Sequence, residues 1–216
     1  MTRLIALALT FVPAALPAAK VLLNDAQVRV VHATNEPGDK SRLHKHDVNR
    51  VMVHLDPGRM KLAFEDGEVK DIVFKAGDVR WDPKGGMHTS ENVGGTRYNI
   101  IEIELKQEAG PAPAFPERDP VKVDPEHHRV EFENDQVRVV RFRLEPGRKT
   151  ALHEHALPRV TVYLTDQSVH TTLANGRGTS FTNKAGAVTR GGRAVHAERN
   201  SGKDPFEVIF VELKTR

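Results

Sequence analysis

The chain repeats itself. VRVVHATNEPGDKSRLHKHDVNRVMVHL (28–55) aligns without a gap on VRVVRFRLEPGRKTALHEHALPRVTVYL (137–164), with 15 of 28 positions identical. KAGDV (75–79) then meets KAGAV (184–188). After a one-residue slip HTSENVG (88–94) meets HAERNSG (196–202), and IEIELK (101–106) meets IFVELK (209–214). Two homologous units of about ninety residues follow one another, so whatever fold the first adopts the second adopts as well.

Between them, KQEAGPAPAFPERDPVKVDPE (106–126) carries five prolines and no apolar periodicity. That is a linker or an extended strap. At the other end, Arg3 precedes the apolar run Leu4 to Val12, which Pro13 stops before small residues follow. This pattern is a secretory leader, too short to span a bilayer, with cleavage expected after Ala18 or Ala19. The expected organisation is a leader over 1–19, a first domain over 20–107, a linker over 108–126 and a second domain over 127–216. The mature protein would be periplasmic or secreted, with no membrane span. Cysteine is absent, which excludes disulfides, thiolate ligands and a cysteine nucleophile. The formal charge of +3 is small and the basic residues are dispersed, so nucleic acid is not an expected partner.

Within each unit, short apolar segments such as NRVMVHL, KLAF, DIVF and RYNIIEIEL alternate with turn clusters such as DPG, EDG, KAG, PKGG and NVGG. Short strands at this spacing predict an antiparallel sandwich or barrel, and the duplication predicts two of similar build. In a strand, positions i, i+2 and i+6 share a face. On that basis His44, His46 and Arg50 point one way, and so do His153, His155 and Arg159. His88 and His196 follow a Gly-rich turn and can enter from a neighbouring strand. Three neutral imidazoles with open positions beside them suit a divalent transition metal. His32 and His170 are not kept between the repeats, which sets the six shared histidines apart. No G-x-S-x-G elbow, P-loop or dinucleotide glycine pattern is present.

These residues resemble the signatures of the cupins. G-x5-H-x-H is present as Gly38, His44 and His46, and G-x5-P-x-G-x2-H-x3-N as Gly77, Pro83, Gly85, His88 and Asn92. The second unit keeps Gly147, His153, His155, Gly186, His196 and Asn200 but lacks the P-x-G element. The resemblance implies an all-β bicupin: two tandem jelly-roll barrels, each with a metal pocket, in a family whose members often form homodimers. It is nearest to exported cupins that end in VELK. It implies Fe(II) first, with Mn, Ni, Cu or Zn as alternatives. The implied activity is that of a dioxygenase or related oxidoreductase on a small organic acid. A non-catalytic metal or small-acid binding protein and a metal-free structural bicupin are the rival readings.

The departure from the family is Arg50 and Arg159, each four residues after the second histidine, where cupins carry a ligating Glu. A guanidinium cannot ligate a cation. Either it grips an anionic substrate, or a protein carboxylate neutralises it, for which Glu104 and Glu212 are the expected partners. The missing Glu also counts against the manganese-dependent oxalate chemistry of exported bicupins. Elsewhere, Trp81 is expected to pack under its turn, His54 and Tyr163 to fill the barrel or line its pocket, and His127 and His128 to be solvated.

Overall fold

The computed structural model describes residues 18–111 and 113–214. The leader expected over residues 1–19 lies outside them, except for Ala18 and Ala19. The first unit contributes β1 (Ala18–Asn24), β2 (Val28–Asn35), β3 (His44–His46), β4 (Arg50–His54), β5 (Gly58–Phe64), β6 (Val69–Phe74), β7 (Val79–Asp82), β8 (Gly85–Asn92) and β9 (Tyr98–Leu105). They form a five-stranded sheet, β1-β2-β9-β4-β7, and a four-stranded sheet, β3-β8-β5-β6. After the short helix α1 (Pro120–Val123), the second unit repeats this. Its strands are β10 (His128–Glu133), β11 (Val137–Leu144), β12 (His153–His155), β13 (Arg159–Tyr163), β14 (Gln167–Leu173), β15 (Gly178–Asn183), β16 (Val188–Gly191), β17 (Ala194–Asn200) and β18 (Phe206–Leu213). Their orders are β10-β11-β18-β13-β16 and β12-β17-β14-β15. Every strand pairing is antiparallel. No helix among the described residues is long and apolar enough to cross a membrane.

Strand alternation sets what each five-stranded sheet does. Arg29 and Val31 of β2, Arg50 and Met52 of β4, Arg80 and Asp82 of β7, and Ile100, Glu102 and Glu104 of β9 line the first cavity. Their neighbours Val28, Val30, Val51, Val53, Ile101, Ile103 and Leu105 face the other way. These pack with Val137, Val139, Val160, Val162, Ile209, Val211 and Leu213 of the second unit in one core. The two five-stranded sheets thus stack on each other, which is why β4 and β13 are buried along their whole length. Separate clusters fill each barrel, around Met52, Phe74 and Tyr98 in the first and Phe142, Phe206 and Phe210 in the second. Trp81 packs against the shared core.

The turns that bring the units together carry glycine. Gly77 (φ +84) and Gly186 (φ +79) occupy equivalent turns, and each abuts a leucine of the other unit. A Cβ on Gly77 would lie 3.5 Å from Leu164, and one on Gly186 would lie 3.4 Å from Leu55. Positive φ is the stronger constraint, since L side chains rarely adopt it. Polar bonds join the rim: Arg190 Nε donates to Asp25 at 2.9 Å and Arg141 NH2 to the Gly77 carbonyl at 2.7 Å.

The proline-rich segment docks on the second unit. Asp119 caps α1 and is itself buried, held by Arg138 through NH1 (3.1 Å) and NH2 (2.6 Å). The Arg138 guanidinium lies 3.7 Å from the ring centre of Phe115. His128 is not solvated, contrary to the sequence expectation. It is 1% exposed, stacked on Phe142 with centroids 4.4 Å apart, and burial pushes its pKa down to about 2. His127 is partly buried and bonds Asp124 at 2.6 Å. Both follow a segment that packs rather than swings free, a property that proline content alone does not reveal.

Candidate metal centres

Two histidine triads assemble, His44, His46 and His88 in one barrel and His153, His155 and His196 in the other. In each, one ligand atom per residue lies within 4.8 Å of the others. The third histidine arrives by strand pairing: His44 stands directly opposite His88, and His153 opposite His196. The signature asparagines hold the turn that follows. Asn92 Nδ2 donates to the carbonyls of Asn35 and Thr96, and Asn200 Nδ2 to those of Leu144 and Asp204.

Ring orientation fits metal binding. Nδ1 of His44, His88 and His153 lies 2.8, 2.9 and 3.0 Å from the carbonyls of Arg42, Gly86 and Ala151. A carbonyl only accepts, so Nδ1–H donates and the Nε2 lone pair is left for a ligand. Nε2 of His153, His155 and His196 are all buried without a hydrogen-bond partner. In the first barrel Nε2 of His44 and His46 are 3.1 Å apart, close to the separation of two imidazoles each about 2.1 Å from a shared ion. Burial, reinforced by Arg50, pushes His46 down to about 3. Burial also pushes His196 to about 3 and His155 well below its ordinary value, with Arg159 adding to both. Neutral imidazole is the form that ligates.

His44, His46 and Arg50 do not share one strand face. The chain leaves β3 in the four-stranded sheet and re-enters as β4 in the five-stranded sheet. The residues converge because both sheets turn an inner face to the same cavity, not through the i, i+6 spacing.

No protein-family profile matches the sequence, and no curated protein does either. Solved structures do match. AerE from Microcystis aeruginosa superposes with a TM-score of 0.64 at 12% identity, covering 91% of this chain and 97% of that one. Oxalate decarboxylase from Bacillus subtilis, which has Mn(II) centres, gives 0.60 at 14% identity over 88% and 70%. A cupin 2 conserved barrel domain protein from Leptotrichia buccalis gives 0.56 at 10% over 95% and 92%.

The chain has a bicupin fold. The likeness is one of fold, and the two triads occupy the interiors of the two barrels.

The arginines of this bicupin differ between barrels. Arg50 is 6% exposed and is neutralised by Asp82 (Nε 3.0 Å, with NH2 also bonded) and Glu102 (NH1 2.8 Å). Its expected partner, Glu104, is opposite it in register but bonds Arg29 at 2.8 Å instead. Burial raises the Glu102 pKa, and Arg50 opposes that shift. In the second barrel Glu212 likewise bonds the Arg29 equivalent, Arg138, at 2.6 Å, and its other oxygen lies 3.6 Å from His155 Nδ1. Arg159 makes one hydrogen bond, NH1 to the Gly192 carbonyl at 2.7 Å, and its buried Nε has none. No carboxylate among the described residues forms an ion pair with it.

Sequence reasoning missed Asp82, Glu102, Arg138 and Glu198. Arg29 and Arg138 were visible as the shared arginine of VRVV. Glu198 is buried beside the second triad, its Oε2 has no partner, and burial raises its pKa to about 7. Tyr163 lines the second cavity, while His54 is fully buried against Phe74 at 3.9 Å.

Proposed function

We propose that this protein is an exported, metal-dependent bicupin enzyme, a dioxygenase or related oxidoreductase acting on a small organic acid. The observation that carries the reading is the convergence of one ring nitrogen from each of three histidines in each barrel, with His44, His88 and His153 oriented by Nδ1–H donation to backbone carbonyls. His44, His46 and His88 would hold one divalent ion, and His153, His155 and His196 a second. Fe(II) suits the three-imidazole set, with Mn, Ni, Cu or Zn as alternatives. When bound, a redox-active ion supplies Lewis-acid and electron-transfer chemistry.

The chain's own residues do the rest. Burial favours the neutral imidazoles of the second triad and shields them from bulk water. The Glu212 carboxylate, fixed by Arg138, lies 3.6 Å from His155 Nδ1, on the Nδ1 side of that ring. A guanidinium beside the triad meets an acid substrate by a bidentate contact, so the substrate's carboxylate is oriented while the rest of it faces the ion. Export rests on the apolar run Leu4 to Val12 behind Arg3.

Oxygen uptake by Fe(II)-loaded protein with a panel of small carboxylic acids tests the reading. Uptake that needs one of the acids supports it. Acid binding without uptake would make the protein a binder of metal or small acids instead.

A further inference from the structure

Comparing the barrels position by position isolates one difference. Arg50 faces Asp82 across the β4–β7 pair, and Arg159 faces Gly191 across the β13–β16 pair. Glu102 stands opposite Met52 on β9, and Phe210 stands opposite Thr161 on β18. Both acids that neutralise Arg50 are therefore gone from the second barrel, one replaced by a glycine and one by an aromatic ring. Arg159 is still 8% exposed and still charged. A buried guanidinium with an unused Nε favours a paired anion; Glu198 and Glu212 act on it only through space, and no carboxylate among the described residues pairs with it directly.

The space beside it is defined. A cavity of about 310 Å³ has Arg159, Arg190, Arg193 and Glu198 as its charged lining and Phe142, Phe181 and Phe210 on its apolar side; Arg190 and Arg193 are already paired, with Asp25 and Glu154. That is room enough for a compact aryl acid. Glu198 disfavours a second carboxylate in the same space. The first cavity, with Arg50, Arg80, Asp82, Glu102 and Glu104 on its wall, already balances its arginines with acids.

We propose that the second barrel alone binds substrate, as a small monocarboxylate with an aryl or similarly apolar body whose carboxylate pairs with Arg159. This rests on the reading that the barrels take a small organic acid, and it assigns which barrel and which class of acid. The first barrel keeps its arginine as part of its wall.

Calorimetric titration of the full chain with benzoate, acetate and succinate tests this, with metal content measured on the same samples. The expected result is one benzoate site per chain, at least tenfold tighter than acetate or succinate. Arg159→Gln weakens benzoate at least tenfold. Gly191→Asp does the same by placing an acid where the first barrel has Asp82. Its Cβ would come 3.0 Å from Arg159 Cζ, so the guanidinium must move by a few tenths of an ångström. Two sites per chain, equal affinity for succinate, no benzoate binding, or undiminished binding in either folded variant would overturn the proposal. Metal at both triads without benzoate binding sinks this inference alone. Benzoate binding at Arg159 without any metal sinks the enzyme reading and leaves this one standing.

Discussion

Arg138 and Glu212 form a buried ion pair at 2.6 Å in the wall of the second barrel, with side chains 6% and 1% exposed. The same arginine also holds Asp119 of the interdomain segment. Removing it would leave two buried carboxylates unpaired. Arg138→Met is expected to cost about 3–5 kcal/mol, read as a lower denaturant midpoint. The equivalent pair in the first barrel, Arg29 with Glu104, is 39% and 19% exposed. Arg29→Met should cost about 1 kcal/mol or less.

Arg50 and Arg159 should respond oppositely to truncation. Arg50→Met strands the partly buried carboxylates of Asp82 and Glu102, and should cost about 3 kcal/mol. That corresponds to roughly 6–12 °C in Tm for a chain of this size. Arg159→Met removes a buried charge without an ion-pair partner, and should leave stability within about 0.5 kcal/mol of the parent or raise it. Thermal melts of the two variants in metal-free, carboxylate-free buffer check this. Equal losses would mean that Arg159 has a protein counter-ion after all.

His54 gives the metal-free protein an acid-side stability slope. It is fully buried, and burial pushes its pKa down to about 4, against about 6.5 in the unfolded chain. Between those values the unfolded state binds a proton that the folded state refuses, so stability falls as pH falls from about 6.5 to about 4. Below that, both states are protonated and this contribution stops changing. His54→Leu should remove one proton from the slope, about 1.4 kcal/mol per pH unit. Urea midpoints at pH 4.5, 5.5 and 6.5 measure it. An unchanged slope would mean that His54 titrates normally in the folded state.

Much of this was legible from the repeat. Two copies of H-x-H, each followed by a later histidine, named all six triad residues, and turn spacing named the all-β class. The spacing argument gave the right convergence for the wrong reason, because it treated 44–50 as one strand. A three-residue strand that hands over to another sheet has the same local pattern as a longer one. The arginine partners were misassigned because Glu104 and Glu212 were the acids kept in both copies. Those two serve the other shared arginine, Arg29 or Arg138. The acids that neutralise Arg50 are present in one copy only, so a search for shared residues passed over them. Burial of His128 is invisible in the sequence because packing of the proline-rich segment depends on tertiary contacts of Asp119 with Arg138 and of His128 with Phe142.

Divalent metal binding at both triads underlies the proposed activity. The most direct test is metal content by mass spectrometry of the folded protein, beside a His44→Ala/His153→Ala double variant. Close to two transition-metal ions per chain are expected, lost from the double variant while its β-sheet circular dichroism is retained. A well-folded parent protein that takes up no metal after reconstitution, or a double variant that keeps its metal, would contradict it.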